Sequence, residues 1–207
     1  LFPYTTLFRS LKRSIIDTEK TREVRRILKV NCLNTVCENA RCPNKNECYT
    51  NKTATFLIMG KNCTRNCRYC NISCGKPEPL DIDEPKHVAE AVKALGLKYA
   101  VITSVTRDDL PDGGAQHFAN CIYEIRKCTP NTQIEILTPD FKNNKNSLDI
   151  IINAHPDVFN HNIETTKQVF KNARPQGNYE TSLKVLKYVK CNSNIITKSG
   201  LMVGLGE

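Results

Sequence analysis

Residues 53–70 read TATFLIMGKNCTRNCRYC, in which an apolar, β-favouring run from Thr53 to Met59 is followed directly by a loop with three cysteines. These cysteines, Cys63, Cys67 and Cys70, have the spacing C-x3-C-x2-C. A structural zinc site or a simple electron-carrying cluster takes four ligands, so a triplet indicates a metal with one position left for another ligand. Loops that follow the strands of a βα barrel form its active face, so this position favours catalysis over a structural metal. A zinc ion completed by a distant cysteine or histidine is the alternative.

Strand and helix patterns alternate after residue 53. The predicted strands share a short apolar pattern: Thr53–Met59, Tyr99–Val105, Gln133–Leu137, Asp157–Phe159 and Gly200–Val203. The predicted helices lie between them: Glu84–Leu95 with Asp83 as N-cap and Gly96 at its end, Gln116–Lys127, Ser147–Ala154 and Tyr179–Val189. This alternation predicts βα units with a parallel sheet, either closed towards a barrel or wound as an open sheet.

Another cysteine triplet precedes the first predicted strand, so it is the first triplet along the chain and Cys63, Cys67 and Cys70 form the second. Cys37, Cys42 and Cys48 have the spacing C-x4-C-x5-C within Asn31–Thr50, a polar segment that predicts little regular structure. Metal ligation is the expected source of its order. Leu11–Val30, before it, has the apolar spacing of an amphipathic helix.

Composition restricts the class of protein. The chain has 207 residues, of which 40% are hydrophobic, and its 11 cysteines include six in two tight triplets, which indicates metal-bound thiolates in a reducing compartment. The apolar runs are too short to cross a membrane. The net charge of +9 comes from scattered lysines and arginines, which favours an acidic protein partner over nucleic acid.

Both ends of the chain look unnatural. Residues 1–10 resemble the in-frame translation of a sequencing adapter and are set apart from the fold. Residues 206–207 end inside a pattern, which suggests truncation. We therefore divide the chain into an artefact at 1–10, a helix with a cysteine-rich loop at 11–52, and a partial barrel at 53–207.

The spacing of Cys63, Cys67 and Cys70, with an aromatic residue before the last cysteine, resembles the signature of the radical S-adenosylmethionine (SAM) enzymes. The run 200–207, GLMVGLGE, is similar to the fifth-strand pattern of that superfamily, whose backbone and apolar side chains line the adenine. The resemblance implies an α/β fold, a partial TIM-type (βα) barrel with an N-terminal cysteine-rich extension, incomplete at its C-terminus. It also implies that the three cysteines hold a [4Fe–4S] cluster whose fourth iron chelates SAM.

The same resemblance implies contacts to SAM from residues near strand ends. Tyr69 would lie near the adenine, Ser104 near the methionyl amine, Asn162 and Glu164 near the ribose, and Lys198 near the carboxylate. In this superfamily an electron from the cluster cleaves SAM, and the resulting 5′-deoxyadenosyl radical abstracts hydrogen from an unreactive carbon.

The first triplet, together with runs such as residues 102–115 (ITSVTRDDLPDGGA) and 134–141 (IEILTPDF), resembles the lipoyl synthase family over about residues 24–207. The resemblance implies insertion of two sulfur atoms at the sixth and eighth carbons of an octanoyl chain on a lipoyl carrier protein or domain. Cys37, Cys42 and Cys48 would hold an auxiliary [4Fe–4S] cluster that donates the sulfur. A ferredoxin or flavodoxin would supply electrons.

The chain departs from this family in one respect. The family's fourth auxiliary-cluster ligand is a serine near the C-terminus, in a motif that these 207 residues do not contain, so we expect incomplete activity from this piece. Cytoplasm is the default location, and organelle targeting stays open because no natural N-terminus is visible. The alternatives are a biotin synthase-like radical SAM enzyme and a non-catalytic iron–sulfur or zinc module.

Several charged residues support a role near the active face. Arg65 and Arg68 are expected to hold the neighbouring thiols as thiolates. Arg107, Asp108 and Asp109 form either an ion-pair network at the active face or a solvated loop. We expect His161 to orient neighbouring residues, while Cys74 and His117 carry no predicted role.

Overall fold

The computed structural model describes residues 18–40, 42–51 and 53–207, so the adapter-like segment and residues 11–17 of the predicted first helix lie outside the described residues. Within that part, the strands are β1 (Asn34–Thr35), β2 (Thr55–Ile58), β3 (Asn62–Cys63), β4 (Ser73–Cys74), β5 (Tyr99–Ser104), β6 (Gln133–Leu137), β7 (Val158–Asn160) and β8 (Ile196–Lys198). One sheet has the order β1-β2-β5-β6-β7-β8, and β3 and β4 pair separately. All pairs in the main sheet are parallel except β1 with β2, which are antiparallel.

Of the described helices, three precede the first parallel strand, β2, and the others connect the parallel strands. The helices are α1 (Glu19–Val30), α2 (Val36–Asn39), α3 (Lys45–Thr50), α4 (Glu84–Leu95), α5 (Ala115–Cys128), α6 (Lys145–Asn153), α7 (Lys167–Ala173) and α8 (Tyr179–Asn192). The predicted helices are confirmed as α4, α5, α6 and α8, with small shifts at their ends. In the described residues no helix is both long and apolar enough to span a membrane.

Helix α4 shows how local sequence sets an element. Pro85 lies in its first turn, where its missing N–H costs nothing, and Gly96 ends it in the left-handed conformation at φ 64°. Val88 and Val92 recur on one face and are fully buried. Asp83 occupies the N-cap position, but its side chain makes no capping hydrogen bond, so the predicted cap is wrong in its chemistry.

Three predictions of secondary structure are corrected. The last strand is Ile196–Lys198 rather than Gly200–Val203. Leu201 still forms an isolated parallel bridge with Glu164, but Val203 is exposed and Gly204 and Gly206 turn the backbone to positive φ. Asn31–Thr50 was predicted to be irregular, but it contains β1, α2 and α3. Helix α7 has no counterpart among the predicted elements.

The two faces of the parallel sheet have different chemistry. Alternate residues such as Phe56, Ile102 and Ile136 are fully buried on one face, while Thr103 and Glu135 belong to the opposite, more polar set. Buried side chains of α1 and α3 join the same hydrophobic core. The parallel strands all end at one edge of the sheet, which is where the cysteine loop lies.

Candidate functional site

A cavity of about 320 Å³ lies at the carboxyl ends of the parallel strands. The second triplet, Cys63, Cys67 and Cys70, lines it, which brings these cysteines to the active face that the sequence predicts. Apolar side chains such as Leu57 and Leu137 form part of its wall. The cavity therefore joins three thiols to a partly apolar recess, which is the general character of a small-molecule site.

Backbone N–H groups point at the first of these thiols. The sulfur of Cys63 accepts hydrogen bonds from the N–H of Arg65 at 3.4 Å and of Thr106 at 3.2 Å. Such N–H···S bonds are typical of protein-bound iron–sulfur clusters, so this sulfur fits a cluster ligand. Burial raises the pKa of the Cys70 thiol, and the neighbouring Cys67 and Cys63 raise it further. Metal binding here must therefore displace a proton.

In the described residues, no three histidine, cysteine or acidic side chains converge on one point as ligands of a single ion would. A cubane cluster differs from a zinc ion because each thiolate binds a different iron atom. The three thiols of a triplet therefore need not converge on one point to hold a cluster.

Polar side chains at the ends of the neighbouring strands line the same cavity, as the sequence predicts for Tyr69, Ser104, Asn162 and Glu164. Glu164 has a left-handed backbone at φ 72°, a strained conformation for a residue other than glycine. Burial raises the pKa of its carboxyl group, against the lowering effects of Arg174, Tyr69 and Asn162. Burial also raises the pKa of Tyr69, and the neighbouring Glu164 adds to the effect.

Two buried polar atoms in the cavity wall have no hydrogen-bond partner among the residues that the structure describes. They are the hydroxyl oxygen of Ser104 and the Nε of Arg174. A buried polar group without a partner costs about 1–3 kcal/mol, so such groups are usually reserved for a ligand. The lining residues therefore fit a polar cofactor.

Lys198, by contrast, lies outside the lining of this cavity. Its ammonium donates to both carboxylate oxygens of Glu135 at 2.9 and 3.0 Å, and it does not line the cavity. The side-chain amide of Asn160 donates to the same carboxylate at 2.8 Å. The run 200–207 is also outside the cavity wall, although the N–H of Glu164 donates to the carbonyl of Gly200 at 3.0 Å.

His161 lines the cavity, and both its ring nitrogens are engaged by protein groups. Its Nδ1 lies 2.9 Å from the carbonyl oxygen of Thr138, and its Nε2 lies 3.0 Å from the hydroxyl of Ser182. Burial lowers the pKa of His161 to about 4, so the ring is neutral near pH 7. A neutral ring fixed in this way donates from Nδ1 and accepts at Nε2.

Two cysteines of the first triplet lie on short helices, Cys37 on α2 and Cys48 on α3, and Cys42 lies between these helices. The hydroxyl of Thr35 accepts the N–H of Glu38 at 3.2 Å and caps α2. Burial raises the pKa of Cys37, and the nearby Cys42 and Cys48 raise it further, so the three thiols are close enough to interact. Val36 of α2 and Ala40, which follows α2, line the same cavity as the second triplet.

The two arginines of the cysteine loop bind partners other than the predicted thiols. The guanidinium of Arg65 pairs with Asp108 and Asp140, and that of Arg68 bonds Asn172, so neither charge is directed at the thiols as predicted. The ion-pair network that the sequence offered at the active face is present, with Arg107 paired to Asp109 at 2.8 Å. The network also includes residues that lie far apart in the sequence, which no spacing pattern could connect. Arg174 was missed because it follows α7, which the sequence did not predict.

Comparison with known proteins defines the class first. The family profile of the Radical SAM superfamily matches residues 57–207, which is most of the chain. The chain therefore belongs to the radical SAM superfamily, and the partial barrel predicted from the sequence is the fold of that class.

Curated relatives define the family. The lipoyl synthase of Caldicellulosiruptor bescii is 57% identical over 198 residues, covering 95% of this chain and 68% of that protein. The lipoyl synthase of Caldanaerobacter subterraneus is 52% identical over 193 residues, covering 93% and 68%. That of Chromobacterium violaceum is 51% identical over 199 residues, covering 95% and 63%. The chain belongs to the lipoyl synthase family.

Solved structures agree on the fold. Methylornithine synthase superimposes with a TM-score of 0.56 at 14% identity, covering 96% of this chain and 55% of that one. The cobalamin-dependent radical enzyme OxsB gives 0.53 at 16% identity, covering 78% of this chain and 26% of that one.

Proposed function

We propose that this chain inserts two sulfur atoms at the sixth and eighth carbons of an octanoyl chain carried by a lipoyl carrier protein or domain. One observation carries the proposal. Cys63, Cys67 and Cys70 line the cavity at the strand ends, and the helix that bears Cys37 lines the same cavity through Val36. A carbon in that space would be close to both metal centres, as sulfur insertion requires.

The cofactors of this family are SAM and two [4Fe–4S] clusters, and we assign the residues that hold them. The cluster that binds SAM is assigned to the second triplet, and the auxiliary sulfur-donating cluster to Cys37, Cys42 and Cys48. When bound, SAM and its cluster supply a radical able to remove hydrogen from an unactivated carbon.

The chain's own residues orient the cofactor and exclude water. Ser104 offers an unpartnered hydroxyl, and Glu164 offers a buried carboxyl group held by Tyr69 and Asn162. Leu57 and the other apolar side chains of the wall keep water from the reacting carbon. We leave Lys198 out of the SAM site, since Glu135 already binds its ammonium.

We also propose the partners and the location. A net charge of +9 favours an acidic carrier and an acidic electron donor such as a ferredoxin or flavodoxin. The eleven free cysteines agree with a reducing compartment, and we propose the cytoplasm. Residues 11–52 would serve the auxiliary cluster, and residues 53–207 would form the radical SAM barrel.

Anaerobic turnover tests the proposal. The reconstituted protein is incubated with SAM, dithionite and an octanoylated carrier, and the carrier is weighed by mass spectrometry. We expect two sulfur atoms to replace two hydrogens on the carrier, with release of 5′-deoxyadenosine. Cleavage of SAM without any change in carrier mass would refute the assigned reaction, and no cleavage at all would favour a non-catalytic metal module.

A pair of cysteine variants sharpens this test. Cys37→Ala should still cleave SAM but should add no sulfur to the carrier. Cys32→Ala is the matched control, because this exposed cysteine lies outside both triplets and should leave both products unchanged.

A further inference from the structure

Arg65 lies between two cysteines of the SAM-cluster loop, yet its side chain turns inward and is only 4% exposed. Its Nε and Nη2 donate to the carboxylate of Asp108 at 2.7 and 2.9 Å. Its Nη1 and Nη2 donate to the carboxylate of Asp140 at 2.7 and 2.8 Å. Asp108 follows β5 and Asp140 follows β6, so one guanidinium fastens the cysteine loop to two neighbouring strand ends.

Backbone contacts join the same two segments. The N–H and the hydroxyl of Thr64 both donate to the carbonyl of Thr106, at 3.1 and 2.9 Å. The N–H of Asp108 donates to the hydroxyl of Thr64 at 3.1 Å. In return, the N–H of Thr106 donates to the sulfur of Cys63 at 3.2 Å. The segment after β5 is therefore locked in the position that supplies a hydrogen bond to a cluster ligand.

Hydrogen bonds to cluster sulfur have a known electrostatic effect. Reduction adds negative charge to a cluster, and an N–H dipole aimed at a ligand sulfur stabilises that charge, so it raises the reduction potential. The pairing partners of Arg65 are also well fixed: Asp140 is 4% exposed, and the guanidinium lowers the pKa of that carboxyl to about 2. Such a bidentate arrangement depends on the planar fork of arginine.

We propose that Arg65 is a positioning residue for the SAM-binding cluster. By holding Asp108 and Asp140 it keeps the N–H of Thr106 on the sulfur of Cys63, and so keeps the reduction potential of the cluster high enough for its electron donor. The inference rests on the proposed function in one respect, namely that Cys63, Cys67 and Cys70 hold that cluster.

The charge-conserving variant Arg65→Lys tests the proposal. It retains the positive charge but cannot bond both carboxylates bidentately. Reconstituted protein is titrated with dithionite under anaerobic conditions, and the cluster is followed by the EPR signal that changes when SAM is added. We expect the reduction equilibrium of that cluster to shift about tenfold towards the oxidised form, about 59 mV for one electron.

Arg68→Lys is the matched control. Arg68 lies in the same loop, but its guanidinium bonds the side chain of Asn172 and holds no carboxylate. The reduction potential of the cluster in Arg68→Lys should equal that of the wild type. Equal potentials in wild type and Arg65→Lys would overturn the proposal, and so would equal shifts in both variants.

A second variant covers the case in which Arg65→Lys fails to retain its cluster. Thr64→Val removes the hydroxyl that joins Asp108 to Thr106 without changing charge or shape, and we expect a smaller shift in the same direction. An unchanged potential in Thr64→Val would then overturn the proposal. A separate measurement distinguishes this outcome from a failure of the proposed function. If Cys63 did not hold the SAM-binding cluster, Cys63→Ala would retain the SAM-responsive EPR signal of the wild type.

Discussion

Two adjacent acidic residues at the start of α4 should respond very differently to removal. The carboxyl group of Glu84 accepts the N–H of Met59 at 2.8 Å and lies 2.6 Å from the Nε2 of His117. Met59 directly follows β2 and has φ 67°, and Glu84 and His117 are both buried. Glu84→Ala leaves two buried polar groups without partners at about 1–3 kcal/mol each, so we expect a loss of about 2–6 kcal/mol.

The neighbouring carboxylate is the control. Asp83 is half-exposed, its side chain makes no capping hydrogen bond, and its carboxylate pairs with the exposed Lys86 at 3.3 Å. Such a pair contributes about 0.3–0.5 kcal/mol, so Asp83→Ala should change stability by no more than that.

Urea unfolding of the reconstituted protein, followed by far-UV circular dichroism, measures both variants at equal slope. A loss of less than about 1 kcal/mol in Glu84→Ala would refute the reasoning, because it would mean that removing this carboxylate leaves no buried polar group without a partner. Equal losses in the two variants would also contradict the reasoning, because they would point to a helix-terminus charge effect shared by both residues.

Three further predictions concern the site. A side-chain carbon at Gly200 would lie 2.8 Å from the amide oxygen of Asn162, so Gly200→Ala should displace that amide into the cavity and weaken SAM binding about tenfold by calorimetry. The pKa of His161 is about 4 in the folded protein against an ordinary value of 6.5, so the unfolded chain binds more protons between these two pH values. The free energy of unfolding should therefore fall by up to about 3 kcal/mol as the pH drops from 6.5 to 4. His161→Gln should flatten this pH dependence. Cys63→Ala should halve the iron content and abolish SAM cleavage, while Cys121→Ala, at a buried position outside both triplets, should retain full iron; full iron in Cys63→Ala would contradict the assigned ligand.

Periodicity predicted the elements whose faces are fully buried. β5, β6 and α4 were recovered because each carries an apolar pattern and a terminus set by proline or glycine, and these are local signals. Gly200–Val203 was predicted as a strand because it contains apolar residues, but Leu201 forms just an isolated bridge with Glu164, and the glycines that follow turn the backbone to positive φ. The short helices α2 and α3 lie in a polar segment where no periodicity could reveal them.

The site was predictable where the ligands lie close in sequence. Cys63, Cys67 and Cys70 share one loop, so their spacing alone identifies them. Arg65 and Asp140 are 75 residues apart, and no local pattern indicates that they meet. Glu84 was interpreted as a charge in the first turn of a helix, whereas its carboxyl group points into the core, since side-chain direction there is set by tertiary packing.

The antiparallel pairing of β1 with β2 has a consequence for how the chain behaves when iron is scarce. β1 covers the outer backbone edge of β2 opposite Phe56 and Leu57, and Cys37 follows β1 by two residues. An uncovered strand edge is a template on which another chain can add. Metal bound at Cys37, as proposed above, would help to hold β1 against β2, and we expect chains starved of iron to associate through the edge that β1 covers. Iron supply would then determine colloidal stability as well as turnover.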